Sequence, residues 1–272
     1  MKKHIAAIAA AVMISLAGCD ASEADEMTVS FFEAGKADAI LIETEEGNIL
    51  IDTGLEENKE ELLEELAEKN IEEINALILT HFDKDHAGGA DAVIENLKVD
   101  YVYTTWRSKE SDETEEFDEA LSEAGIKANV IKGTQTFTIG GARFEIYGAS
   151  ESYEKDESNN SSLIIRVSFG KKSYLFMGDA QDERITEFLN SYETDADFIK
   201  IPYHGHMQDT LAQLIEAVSP ESAVITNSKA EPEAEEIAET EALLLENGVT
   251  FHETADGTVT MICTADLFLI SQ

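Results

Sequence analysis

The stretch "THFDKDHAGG" (residues 80–89) follows an apolar run, "ALILT", and places His81, Asp83, Asp85 and His86 within six positions. The apolar run predicts a strand, so these side chains fall on the loop leaving its end, where they can converge without obeying a regular period. Two imidazoles and two carboxylates this close form a concentrated nitrogen and oxygen donor set for a divalent cation. Gly88 and Gly89 are expected to let the backbone turn tightly below them. The plainer alternative is a solvated loop in which Asp83 or Asp85 caps the helix that follows. That accounts for one carboxylate and for neither histidine.

Donor residues recur at the ends of other apolar runs. "IDTG" ends on Asp52, "LFMGDA" on Asp179, and "FIKIPYHGH" on His204 and His206. Taken singly, each aspartate is a turn or cap residue and each histidine an ordinary surface or core residue. Together they make a series of strand-end donors, the way a metal cleft is built across the edge of paired sheets.

The pattern between these points orders the fold. Strands are predicted at "TVSFFEA", "DAILIET" and "NILIDT", and a helix at "ENKEELLEELAEKN", where Leu62, Leu63 and Leu66 form an apolar stripe. After the ligand loop come a helix from about Gly89, strand "VDYVYTT" and helix "TEEFDEALSEAG". A second strand-rich block runs from "KANVIK" to "KSYLFMG", followed by helix "AQDERITEFLN", strand "FIKIP", helices near 209–217 and 232–246, and strands "TFHET", "GTVTMIC" and "DLFLI". Strands, helices, strands and helices in that order predict an α/β fold in which two sheets are sandwiched between helices. At 272 residues and 43% apolar composition the chain can bury a full core, and no repeat or Pro/Gly-rich linker divides residues 27–272.

The start of the chain reads as a separate element. "MKKH" and the apolar "IAAIAAAVMISLAG" make residues 1–18 a secretory signal, too short and too abruptly ended for a membrane-spanning helix. "LAGC" resembles the bacterial lipobox, so Cys19 is the expected lipidation site, and residues 19–26 form an acidic tether from it. The alternative is a simple cleaved signal with Cys19 incidental. Cys263 then has no disulfide partner and is expected in the core. With 57 acidic and 19 basic residues the net charge is −38; cleavage before Cys19 removes Lys2 and Lys3 and no acid, which takes it to −40. Such a field repels polyanions.

The series "IDTG", "THFDKDHAGG", "MGDA" and "PYHGH" resembles the metallo-β-lactamase fold superfamily, and in particular its ComEC-like, DNA-uptake branch. "GKADAILIETEEGNILIDTG" is similar to the opening hairpin of that branch, and "NNSSLIIRVSFGKKSYLFMGDA" to its central segment. The resemblance spans about residues 28–206 and implies a single four-layer αββα domain. It implies two divalent ions, zinc or manganese: His81 and Asp83 at the first position, Asp85, His86 and His204 at the second, and Asp179 bridging. Asp83, a hard anionic oxygen, shifts the preference from zinc alone towards manganese or magnesium without excluding zinc. Asp52 becomes the residue that orients the ligand loop, and Asn159 and Asn160 stand where other branches carry a further histidine, offering an amide oxygen.

The implied reaction is hydrolysis by a metal-activated hydroxide, with Asp85 or Asp179 orienting the water. Three departures from the pattern bear on it. "GKAD" (Gly35 to Asp38) replaces a Gly-Gln-Gly-Asp, Tyr203 stands for one of two paired histidines, and His206 for a serine. Tyr203 either substitutes for a ligand or donates a hydrogen bond to substrate, and His206 is a candidate extra ligand. The expected function is a membrane-anchored, extracytoplasmic hydrolase of phosphoester or phosphodiester bonds. The alternative is a catalytically degenerate lipoprotein stapled by one ion. A small phosphoester or an envelope polymer suits the charge better than nucleic acid, unless Trp106, Arg107, Lys109 and Lys200 form a local basic strip rather than ordinary surface. The oligomeric state is not legible in the sequence.

Overall fold

Continuous apolar runs become strands here because each inner strand is buried on both faces. The computed structural model describes residues 26–150, 153–228 and 234–272; the signal segment 1–18, Cys19 and the tether up to residue 25 lie outside these described residues. The chain opens with strands β1 (Met27–Phe31), β2 (Ala39–Thr44) and β3 (Gly47–Thr53), helix α1 (Lys59–Glu68) and strand β4 (Glu73–Leu79). The one-turn α2 (Lys84–Ala87), α3 (Ala90–Asn96), β5 (Lys98–Thr104), α4 (Asp112–Ala124) and β6 (Ala128–Val130) follow. Next come β7 (Thr134–Ile139), β8 (Ala142–Tyr147), the one-turn α5 (Glu157–Asn160), β9 (Ile164–Phe169), β10 (Lys172–Phe176) and α6 (Asp182–Ser191). The chain finishes with β11 (Phe198–Lys200), α7 (Leu211–Val218), β12 (Ser222–Ile225), α8 (Ala234–Glu246), β13 (Thr250–Glu253), β14 (Val259–Cys263) and β15 (Phe268–Ser271).

These strands form an eight-stranded sheet ordered β15-β14-β1-β2-β3-β4-β5-β6 and a seven-stranded sheet ordered β13-β12-β11-β10-β9-β8-β7. Side chains one apart point to opposite faces, which sets the layers. Ile40, Ile42, Ile49, Ile51 and Ile78 meet Phe144, Val167, Phe176 and Phe198 between the sheets. Their alternates Leu41, Leu50, Leu77 and Leu79 pack outward on Leu62, Leu66, Val93 and Phe117 of α1, α3 and α4. On the second sheet, Leu175, Ile199 and Ala223 pack outward on Ile185, Phe188, Leu211 and Leu244 of α6, α7 and α8. The result is one α/β domain with the four-layer αββα order. Cys263 is buried in the inter-sheet core.

Two local expectations change. Strand β12 is not among the expected strands: its run, Ala223 to Ile225, is only three apolar residues long and follows Pro220 closely, too short to show a period; its place between β11 and β13 makes it a strand. Gly88 and Gly89 have ordinary helical-side backbone angles (φ −61° and −97°) and make no special turn. A Cβ on Gly88 would lie 2.2 Å from the Glu56 amide nitrogen, so the glycine is needed for close approach of α2 to the loop after β3.

Each sheet is part antiparallel and part parallel. The parallel neighbours β3 and β4 in one sheet, and β10, β11 and β12 in the other, end on the same side of the sandwich, where their outgoing loops meet. Clefts at the carboxyl ends of parallel strands are where such folds place ligands.

Candidate metal centre

Five loops leave those strand ends and carry the donors. β3 runs out through Asp52, β4 through Thr80 and His81, β10 through Asp179, β11 through Tyr203 and His204, and β12 through Thr226. Three non-glycine residues here have left-handed backbones, Asp52 (φ 57°), Tyr203 (φ 50°) and His204 (φ 51°). Each costs on the order of 1–3 kcal/mol and persists only where surrounding contacts over-determine it.

The contacts that hold them are specific. The Asp52 carboxylate accepts the Thr80 amide N–H and hydroxyl, each at 2.7 Å, and the His86 Nδ1–H at 2.8 Å. With its own hydrogen given to Asp52, the Thr80 oxygen accepts from His81 Nδ1 at 3.2 Å. His204 Nδ1 donates to the Thr226 carbonyl at 2.9 Å. These partners hold a proton on Nδ1 of all three imidazoles, so that each ring, when neutral, turns its Nε2 lone pair into the cleft.

Asp85, His86, Asp179 and His204 offer one ligand atom each, all within 4.8 Å of one another. His86 Nε2 lies 3.2 Å from Asp179 Oδ1, and His204 Nε2 lies 3.1 Å from Asp179 Oδ2 and 3.4 Å from Asp85 Oδ2. The two imidazole Nε2 atoms are 3.4 Å apart. An ion about 2.1 Å from its ligands separates neighbouring donors by about 3.0 Å in octahedral and about 3.4 Å in tetrahedral geometry. The observed spacings fall in that interval. Alongside, the His81 ring lies tilted against His86 with centroids 4.1 Å apart, and its Nε2 is 3.7 Å from Asp83 Oδ2. His81 Nε2 and Asp179 Oδ1 are buried without a hydrogen-bond partner among the described residues. Orphaned buried donors of this type are costly unless a cation satisfies them.

Charge points the same way. Asp38, Asp52 and Asp179 are at most 3% exposed, and the buried ammonium that faces them is that of Lys200. Its Nζ pairs with Asp38, donates to the Gly178 carbonyl at 3.2 Å and lies 3.9 Å from Asp179 Oδ1. Burial alone would raise the Asp179 carboxyl, but the His204 and His86 rings outweigh it and hold it well below the usual range. Burial would likewise depress His204 and His86, yet the facing carboxylates, Asp179 first, push His204 up to about 9 and His86 well above its ordinary value. His81, with burial and the neighbouring His86 against it, is pushed down. The cleft therefore holds excess negative charge that it meets, without metal, by keeping protons on two histidines. The donor chemistry and spacing fit a divalent cation.

The structure gathers Asp85, His86, Asp179 and His204 into one cluster and sets His81 and Asp83 beside it. Asp83 is more constrained than its type suggests: its Oδ1 accepts from Ser158 and pairs with Lys109, both at 2.7 Å. Asn160 does not offer its amide oxygen to the cleft; Oδ1 accepts the backbone N–H groups of Gln181 and Arg184 and so caps α6. Asn159 is half-buried, and the loop reaches Asp83 through Ser158 instead. His206 is buried against the Tyr203 ring at 4.9 Å and does not join the four converging ligand atoms. The Lys36 ammonium also lies over that ring, 5.8 Å from its centroid. The basic strip does not form, since Lys200 is buried and Arg107 is paired with Asp118 and Glu110.

Asp38, Lys200, Thr80 and Thr226 support the cluster in ways the sequence reading did not assign: Asp38 stands out there only as the end of "GKAD" and Lys200 only as a strip candidate. Two signals were there. Lys200 interrupts an apolar strand, and Asp38 closes the "GKAD" segment; the Thr226 hydroxyl, which donates to Asp38 at 2.5 Å from 188 residues away, had none.

Residues 33–226 match the metallo-beta-lactamase superfamily. ComE operon protein 3 of Bacillus subtilis (strain 168) is 26% identical over 230 residues, which covers 78% of this chain and 29% of that protein. The chain spans under a third of the length of the curated relatives it matches. Among solved structures, the metallo-beta-lactamase fold protein YhfI from Bacillus subtilis superposes with a TM-score of 0.58 at 13% identity, covering 85% of this chain and 98% of that one. CmlA, a diiron beta-hydroxylase from Streptomyces venezuelae, superposes with a TM-score of 0.54 at 15% identity over 85% of this chain and 52% of that one. One fold thus carries different chemistries, and the site must supply the argument for function.

Proposed function

The chain belongs to the metallo-β-lactamase superfamily, and from that premise we propose that it is a metal-dependent hydrolase of phosphoester or phosphodiester bonds. The observation that carries the reading is the convergence of two Nδ1-tethered imidazoles, His86 and His204, on the Asp85 and Asp179 carboxylates at ligand spacing, with the similarly tethered His81 beside them. Asp85, His86 and His204 would hold one divalent ion, His81 and Asp83 a second, and Asp179 both; zinc and manganese suit the mixed imidazole and carboxylate set. Bound there, such ions supply Lewis acidity towards a phosphoryl oxygen and acidify water.

The chain's own residues do the rest. Asp52 and Thr80 fix two imidazole tautomers at once, so the donor atoms are aimed before substrate arrives. Asp85, with its side chain 22% exposed, is the most open carboxylate of the converging four and orients the attacking water. Tyr203, held between His206 and Lys36 at the lip, offers its hydroxyl to a non-attacked substrate oxygen. No helix among the described residues is long and apolar enough to cross a membrane; the "LAGC" segment supports anchoring at Cys19, on the extracytoplasmic side. Palmitate labelling lost on Cys19→Ser checks that anchor.

Purified protein loaded with manganese or zinc should cleave bis(p-nitrophenyl) phosphate, and Asp85→Ala or His86→Ala should abolish it. Turnover that survives both substitutions would remove the mechanism. One tightly held ion and no turnover on any ester would leave the non-catalytic, metal-stapled binder instead.

A further inference from the structure

Beside the ligand loop lies a recess of about 280 Å³, lined by Asp83, Lys84, Asp85, Lys109, Ser111 and Glu113, with Phe82 at its floor. In a chain with 57 acidic and 19 basic residues, this small recess gathers two lysines against three acids, two of which, Asp83 and Asp85, are metal-type ligands. The Lys84 ammonium is exposed and makes no ion pair among the described residues. Lys109 reaches Asp83 Oδ1 at 2.7 Å, so its charge sits at the border between recess and ligand cluster.

The loop carrying Lys109 is held in place from two sides. The Arg107 guanidinium lies 4.9 Å from the Phe82 ring centroid and pairs with Asp118. The Trp106 indole N–H donates to the Ser150 carbonyl at 2.8 Å. Once Asp83 and Asp85 are committed to cations, the charged groups left on the recess are Lys84, Lys109 and Glu113, a net excess of one positive charge. Ser111, whose Oγ already accepts from the Thr114 amide, keeps its hydroxyl hydrogen for a ligand.

We propose that this recess is an anion-binding subsite, taking a second phosphate or carboxylate of the substrate while the scissile phosphoester sits on the ligand cluster. The proposal rests on the hydrolase reading and names the substrate class for it: a small phosphoester that carries a second anionic group. A polyanion would run out of the recess onto an acidic surface without a basic strip to follow.

The test compares manganese-loaded wild type with the Lys84→Gln/Lys109→Gln double variant, reading methylenediphosphonate and methylphosphonate binding by calorimetry. Two lost charge-assisted hydrogen bonds should weaken the diphosphonate about 10- to 100-fold and the monophosphonate much less. Lys127→Gln, an exposed lysine on a different recess, is the control for net charge and should bind as wild type does. The single variant Lys84→Gln, at an exposed position, covers the case in which the double variant does not fold. Equal diphosphonate affinity in wild type and variants overturns the subsite. A kinetic arm separates the two readings, using thymidine 5′-(p-nitrophenyl phosphate) with and without a 3′-phosphate. Lysine-dependent diphosphonate binding with neither ester cleaved removes the hydrolase and keeps the subsite; cleavage of both with no 3′-phosphate preference and no lysine dependence does the reverse.

Discussion

The two halves of the cleft are built unequally. The half made by Asp85, His86 and His204 is closed from behind: Asp52 and the Thr226 carbonyl hold the imidazoles, and the buried Asp38–Lys200 pair lies directly beneath. The half made by His81 and Asp83 is no more open, with His81 fully buried and Asp83 24% exposed against 22% for Asp85, but it is held differently. His81 leans on a 3.2 Å contact to Thr80, and one oxygen of Asp83 is engaged by Lys109 and Ser158. A carboxylate that is already hydrogen-bonded on one oxygen has less to give a cation. Ligand identity is therefore not ligand strength; what stands behind each donor decides which position fills first.

Asp179 is shared by the two halves, so its loss should be the most damaging. Asp179→Ala is expected to lower turnover about a thousandfold or more and to reduce metal content at both positions. Kinetics with elemental analysis reads this, and a variant that kept both ions would end the idea of a shared centre.

Next in size is the foundation of the stronger half. Lys200→Met leaves Asp38 buried without its counter-charge and should destabilise the protein by about 3–5 kcal/mol, read by urea unfolding. Adding Asp38→Asn should recover part of that loss. No recovery would mean that the lysine stabilises through packing alone.

Asp83→Ala and Asp52→Asn then set the halves against each other. The first should take the tightly held ions from two to one and leave the stronger position intact. The second, acting behind His86, should weaken metal affinity about 10- to 100-fold. Titration with a chelator reads both, and equal losses in the two variants would erase the asymmetry.

The smallest effect is a divergence with pH in metal-free protein. His204 is pushed up to about 9 from 6.5, so it contributes stability below pH 6.5 that is lost as pH rises through about 9. His81 is pushed down, so its contribution is present above pH 6.5 and lost as pH falls through its lowered value. Histidine titrations by NMR should move in opposite directions in the two halves. Metal binding at the His204 half should strengthen as pH rises towards 9, because a proton must leave first.

Much of this was legible in the chain. Strands such as β2, β3 and β10 are continuous apolar runs between turn residues, and the ligand loop announces itself by donor types at short spacing. The parts that stayed hidden have a common cause. β12 is four residues long and is a strand only because β11 and β13 flank it. Asn160 looked like a ligand by position, yet the start of α6 comes close enough to claim its oxygen.

Residue types along the chain set which chemistry is available: hard oxygens and imidazoles at strand ends, in a chain too acidic to attract polyanions. How those groups are used follows from the packing of the two sheets. Asp38, Lys200 and Thr226 come from three distant segments, and their charges and protons acquire meaning only when the two sheets bury them together. Residue type is a local property, whereas burial and pairing depend on what the rest of the chain brings alongside.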